Sequence, residues 1–199
     1  MNRRSSRALQ ILLFLLAAVL VAPLLETFAV SRVAMVVAPG DTAPQIIAPA
    51  LDGWKFRSDW SQAAYTVVNF WATWCEPCKG EIPVLEELQT KFKSRRLAVI
   101  GAMIDEATDD KARSFLADLG VSYRVVRAGT DVANLWGGIN ILPTTYVINE
   151  KGRVLKRYVG ATPEQVARMK SDIEGLFAPA AEPAPAPPPA RAVTPGTGR

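Results

Sequence analysis

The 199-residue sequence predicts an α/β fold, a mixed central sheet covered by helices on both faces with an N-terminal β-hairpin extension. Three observations lead there. β-Branched and aromatic runs alternate with stretches whose apolar residues recur at helical spacing, a turn signal late in the chain joins two further strands, and a capped helix follows them.

The elements follow in order. Residues 46–48 and 54–56 flank Leu51-Asp52-Gly53, a hairpin signal. Residues 65–70 are β-branched and aromatic and read as the central strand. Leu85, Leu88 and Phe92 then recur at helical spacing, giving a helix over about 75–93 whose apolar stripe packs on the sheet. Pro83 lies inside it, lacks an amide hydrogen and clashes one turn back, so a kink is expected there. Residues 97–103 read as the next strand, 109–119 as a helix stopped by Gly120, and 123–126 as another strand. Residues 144–148 and 154–158 bracket Asn149-Glu150-Lys151-Gly152 as an antiparallel hairpin. Thr162-Pro163-Glu164-Gln165 joins a capping box to a proline at the first helical position and opens a last helix to about residue 177.

Composition sets the flanks. Residues 8–25 are almost uninterruptedly apolar, broken by Gln10 and Pro23, and they follow Arg3, Arg4 and Arg7. Such a run is long enough to cross a bilayer as a helix, and basic residues ahead of it stay in the cytoplasm. The expected organisation is a cytoplasmic stub and transmembrane anchor over 1–30, a stalk over 31–39, one domain over 40–177 and an Ala/Pro-rich tail over 178–199 that buries no core. A cleaved signal is the alternative for the N-terminus, with Thr27-Phe28-Ala29 as its cleavage candidate. Either way the domain is expected on the extracytoplasmic, periplasmic side of the inner membrane, where a cysteine pair drifts to the disulfide unless something reduces it. The net charge of +4 belongs to the flanks, and the 40–177 segment is neutral. That distribution offers no basic stripe for nucleic acid.

Trp74-Cys75-Glu76-Pro77-Cys78 carries the chemistry, because Cys75 and Cys78 are the only two cysteines and the chain has no histidine. A haem attachment would place histidine where Lys79 stands, zinc would lack ligands, and a Cys-His nucleophile pair is impossible. A structural staple closing so short a loop would stabilise weakly. Thiol-disulfide exchange remains. At the N-terminus of a helix, Cys75 meets unpaired amides and the positive end of the dipole, so it is expected to attack and Cys78 to resolve. Pro77 fits the first turn without costing a hydrogen bond. Trp71 is expected in the core and Trp74 on the surface that receives a partner.

The run Val68-Asn69-Phe70-Trp71-Ala72-Thr73-Trp74-Cys75-Glu76-Pro77-Cys78-Lys79, with Leu142-Pro143-Thr144-Thr145 downstream and Gly40-Asp41-Thr42-Ala43-Pro44 ahead, resembles the TlpA/ResA type of membrane-anchored thiol-disulfide oxidoreductase, over about residues 38–177. The resemblance implies a thioredoxin-like fold, no cofactor beyond the Cys75-Cys78 disulfide and no metal. It implies a cis Pro143 facing the cysteines, with the backbone of Leu142 open to pair with a client segment. It implies that Glu81 lies near the pair, where it could accept and return the proton of Cys78 if burial raises its pKa. A solvated first-turn glutamate is the competing reading for Glu81. Trp74, Glu76, Pro77, Leu142 and Thr144 complete the expected client-binding set. Asn69 stands where ordinary thioredoxins have aspartate, so that proton route is absent.

In the resembled family the work is reduction of client disulfides, in apocytochrome c or copper-site assembly proteins, with electrons from a transmembrane thiol donor. Thr144 departs from the cytochrome-maturation branch, which typically has glutamate there. Glu76 between the cysteines opposes thiolate formation and favours a reductase over a thiol oxidase or isomerase, while Lys79 pushes the other way. A peroxiredoxin-like peroxidase would need a threonine or serine where Ala72 stands and a proline where Val68 stands. Outside enzyme chemistry, the same two thiolates could serve a copper-binding assembly module, or the pair could stand idle in a scaffold.

Overall fold

A computed structural model of the chain describes residues 36–178. Its strands are β1 (Ile47–Pro49), β2 (Lys55–Arg57), β3 (Tyr65–Trp71), β4 (Leu97–Met103), β5 (Arg124–Arg127), β6 (Thr144–Asn149) and β7 (Val154–Val159). Its helices are α1 (Glu76–Phe92), α2 (Asp109–Asp118), α3 (Gly129–Leu135) and α4 (Pro163–Gly175).

The five-stranded sheet runs β5-β4-β3-β6-β7, parallel from β3 through β5 and antiparallel across β3-β6-β7. β3 is central and its side chains are buried on both faces, as a strand covered on both sides requires. The steps β3 to β4 and β4 to β5 move outward in the same direction, so two crossovers of the same hand set α1 and α2 on one face. There Ile82, Leu85 and Leu88 of α1, Leu116 of α2 and Ile173 of α4 close on the sheet. The other face packs Val68, Phe70, Ile100 and Tyr146 against α3, Trp136 and the N-terminal segment through Ala50.

The central strand and the 97–103 strand lie where the pattern put them, and most remaining boundaries move by a residue. β1 and β2 form their own small sheet, each shifted one position along the chain from expectation. α3 was not foreseen. Seven residues with no side-chain cap leave too little periodicity to read, and the burial of Val132, Ala133 and Trp136 decides it. α1 continues through Pro83 as one element, and Pro83 sits on its exposed side, where the carbonyl of Lys79 that loses its partner faces solvent. The capping box forms as read, with Thr162 and Gln165 exchanging side-chain to backbone bonds at 3.3 and 3.1 Å. Gly152 turns the β6-β7 hairpin at φ 73°, and a Cβ there would lie 2.9 Å from the Trp60 ring.

The expected 1–30 anchor, most of the 31–39 stalk and all but Ala178 of the 178–199 tail lie outside the described residues. Among the described residues no helix is long and apolar enough to cross a membrane.

Candidate active site

The two cysteines sit where β3 hands over to α1, at the carboxyl end of the central strand. That is where open α/β sheets leave a crevice between neighbouring connections. The junction is held from both sides. The Cys75 amide donates to the Ala72 carbonyl at 3.1 Å, and the amide and hydroxyl of Thr73 both donate to Asp105 Oδ2, at 2.8 and 2.6 Å. Cys75 is thereby fixed as the N-cap, in extended conformation, and its Sγ accepts the Cys78 amide at 3.3 Å. A sulfur in that position takes one of the orphan amides of the first turn and faces the positive end of a 17-residue helix. Pro77 lies inside that first turn, where its missing hydrogen is not needed. Cys75 and Cys78 form a disulfide with their Cα atoms 5.4 Å apart.

In the disulfide form Cys75 is only 3% exposed and Cys78 is fully buried. Cys78 lies in the core on the buried face of α1, and Cys75 lines a groove of about 720 Å³ whose walls are Trp74, Glu76 and Pro77 on one side and Ile104, Ile139, Ile141 and Leu142 on the other. Trp74 is 72% exposed at its rim, while Trp71 is buried and stacks on Phe115 with ring centroids 5.2 Å apart. Gly101 beside it leaves room for that indole, since a Cβ there would meet Trp71 Nε1 at 3.0 Å.

The Leu142-Pro143 peptide is cis, immediately ahead of β6, whose first residue Thr144 pairs with Phe70 near the end of β3. Leu142 reaches the groove, and its backbone N–H and carbonyl have no partner among the described residues. Thr144, expected among client-binding residues, is turned inward instead. It is buried, and its hydroxyl donates to the Ile141 carbonyl at 2.7 Å, so it props the loop that forms the groove wall. Glu76 and Lys79 also differ from the sequence picture of opposing charges. They pair with each other at 2.7 Å in solvent, so neither acts on the sulfurs as an isolated charge.

Glu81 is 2% exposed, which excludes the solvated reading. It follows Cys78 by three positions on α1 and shares its buried face. Thr145 Oγ1 donates to Glu81 Oε1, and Asn69 Nδ2 reaches the same oxygen at 3.4 Å. No cation pairs with it among the described residues. Burial therefore dominates and pushes its carboxyl up to about 7, against the opposing bond from Thr145. Two contributors escaped the sequence reading. Thr145 lay inside the quoted motif without a role, and Asp105 gave no local signal, since it reaches Thr73 across 32 residues.

Fold and disulfide together define a thioredoxin-fold protein with one Cys-x-x-Cys pair at the amino end of its first long helix. The chain belongs to the AhpC/TSA family, whose model matches residues 39–157. It is 31% identical over 129 residues to the thiol-disulfide oxidoreductase ResA of Bacillus thuringiensis, covering 64% of this chain and 73% of that one. With ResA of Geobacillus thermodenitrificans it shares 30% over 151 residues, covering 75% and 84%. The thiol:disulfide interchange protein of the thioredoxin family from Chlorobium tepidum superposes with a TM-score of 0.60 at 27% identity, over 71% of this chain and 99% of that structure. The chain is a thiol-disulfide oxidoreductase of this kind.

Proposed function

We propose that the chain is a reductase of disulfides in extracytoplasmic client proteins, with Cys75 as the attacking and Cys78 as the resolving thiol and no cofactor beyond their disulfide. The observation that carries it is the buried Glu81 carboxyl, which pairs with no cation among the described residues and lies one turn from Cys78 on the same buried face of α1. A carboxyl there opposes thiolate formation next to it, and a reduced form that is less stabilised gives its electrons more readily. Cys75 attacks the client disulfide to form a mixed disulfide, and Cys78 displaces the client thiol and closes the pair. Trp74, Pro77 and the Leu142 backbone form the surface that receives the client, with Glu76 at its rim.

The N-terminal apolar run, read as an anchor, supports a position outside the cytoplasm, where a transmembrane thiol donor would have to re-reduce the pair. Apocytochrome c or copper-site assembly proteins are the client classes that the family resemblance suggests. Two measurements test the reading. Equilibration with a glutathione redox buffer should leave the pair oxidised except under strongly reducing conditions, and a value near that of a strong oxidant would reverse the direction. Cys78→Ser should hold clients on Cys75 as mixed disulfides that mass spectrometry identifies.

A further inference from the structure

We propose that Asn69 and Thr145 are positioning residues, a one-way hydrogen-bond chain that holds the Glu81 carboxyl for proton exchange with Cys78. The inference deepens the reductase reading and rests on it.

The direction of the chain follows from which atoms carry hydrogen. Asn69 Nδ2 has two, one given to Thr145 Oγ1 at 2.8 Å and the other aimed at Glu81 Oε1. Thr145 has a single hydroxyl hydrogen and gives it to the same Oε1. Asn69 stands opposite Thr145 in the β3-β6 register, and Glu81 meets them from α1, so three elements converge on one oxygen. The amide oxygen of Asn69 is buried without a partner among the described residues. Turning the amide over would set that acceptor against Oε1 and claim the hydrogen that Thr145 gives to Glu81, so the unpaired oxygen is the smaller cost. With all donors gathered on Oε1, Oε2 receives no hydrogen bond among the described residues and is the atom left to take a proton.

The step it serves is resolution of the mixed disulfide. The Cys78 thiol passes its proton to Glu81 Oε2, and its sulfur attacks Cys75 Sγ. The Cys75–client sulfur bond breaks, and the client leaves as a thiolate that takes up a proton. The client has then gained two electrons and the Cys75-Cys78 pair has lost two. The groups around Glu81 are Cys78 one turn back on the same buried face of α1, Asn69 from β3, Thr145 from β6 and Tyr123 just before β5. Tyr123 stays protonated, its ionisation pushed up by burial and then by the carboxylates of Glu86 and Glu81, so it does not compete for the proton.

The test uses the reduced full chain mixed with oxidised glutathione and quenched in acid, with mass spectrometry counting mixed disulfide and closed pair over a range of pH. Thr145→Val removes the hydroxyl donor and should raise the midpoint of the resolution rate by about one pH unit, which at pH 7 slows resolution about fivefold and accumulates mixed disulfide. Formation of the mixed disulfide at Cys75 should keep its rate. Thr145→Ser should restore the native profile, and Thr145→Val should add nothing in a Glu81→Gln background. An unmoved midpoint in Thr145→Val, or an equal slowing with and without Glu81, overturns the positioning role and leaves the reductase reading standing. Absence of any mixed disulfide at Cys75 removes both.

Discussion

The two faces of β3 are made from alternate residues of one seven-residue strand, yet they serve opposite ends. On one, Val68 and Phe70 lie in an aromatic core where Trp136 approaches Phe70 at 5.3 Å and Tyr146 at 4.8 Å between ring centroids. On the other, Val67 and Trp71 bracket Asn69, and through it the strand touches Thr145 and the Glu81 carboxyl. The first face gains free energy by removing apolar surface from water. The second gives some of that back by desolvating an acid, and what it holds in return is a group that exchanges protons near neutral pH. Stability and chemistry are thus separated by a single residue step.

Substitutions on each side sharpen or break this contrast. The largest effect should come at the site. Cys75→Ser is expected to reduce turnover of a glutathione or insulin disulfide to background while the fold persists, because the disulfide closes too short a loop to contribute much stability. Residual turnover well above background would remove Cys75 from the attacking role. On the aromatic face, Trp136→Ala should cost about 3–5 kcal/mol in urea unfolding and leave turnover per folded molecule nearly unchanged. A loss of turnover without a loss of stability there would show that the faces are not independent.

Glu81→Gln tests the opposite face through pH. The folded carboxyl titrates at about 7 against a usual 4.5, so between those values the folded state holds more protons than the unfolded one and stability falls as pH rises. The glutamine variant lacks that decline. Its advantage over the native chain should be absent at pH 4, grow toward pH 7 and level off above it, on the order of a few kcal/mol. An advantage that shrank with rising pH would mean that the carboxyl is stabilised by its site. The smallest effect belongs to Glu76→Gln. Its ion pair with Lys79 stands in solvent, so the melting temperature should move by less than about 2 °C and the glutathione equilibrium by less than about threefold.

Much of this was legible in the chain. The β-branched run of β3, the capping box of α4 and the turn before β7 each depend on neighbours in sequence, and each was read within a residue or two. α3 was missed because its seven residues are helical for what they pack against. Thr144 entered the client-binding set with the family resemblance, while its hydroxyl turns back to Ile141. Glu76 and Lys79 oppose each other at Cys75 when taken singly, but the first turn of α1 brings them together as an ion pair.

The cysteine spacing, the absence of histidine and the placement of Cys75 ahead of a helix confined the chemistry by themselves to one thiol pair poised for exchange, since capping and dipole act over one turn of chain. Tertiary structure alone decided how that chemistry is tuned. Thr145 reaches Asn69 across 76 residues and Glu81 across 64, and Asp105 reaches Thr73 across 32. Strand register and helix docking create those meetings and exclude the water that would otherwise set the acidity of Glu81, and neither quantity is local to any stretch of the sequence.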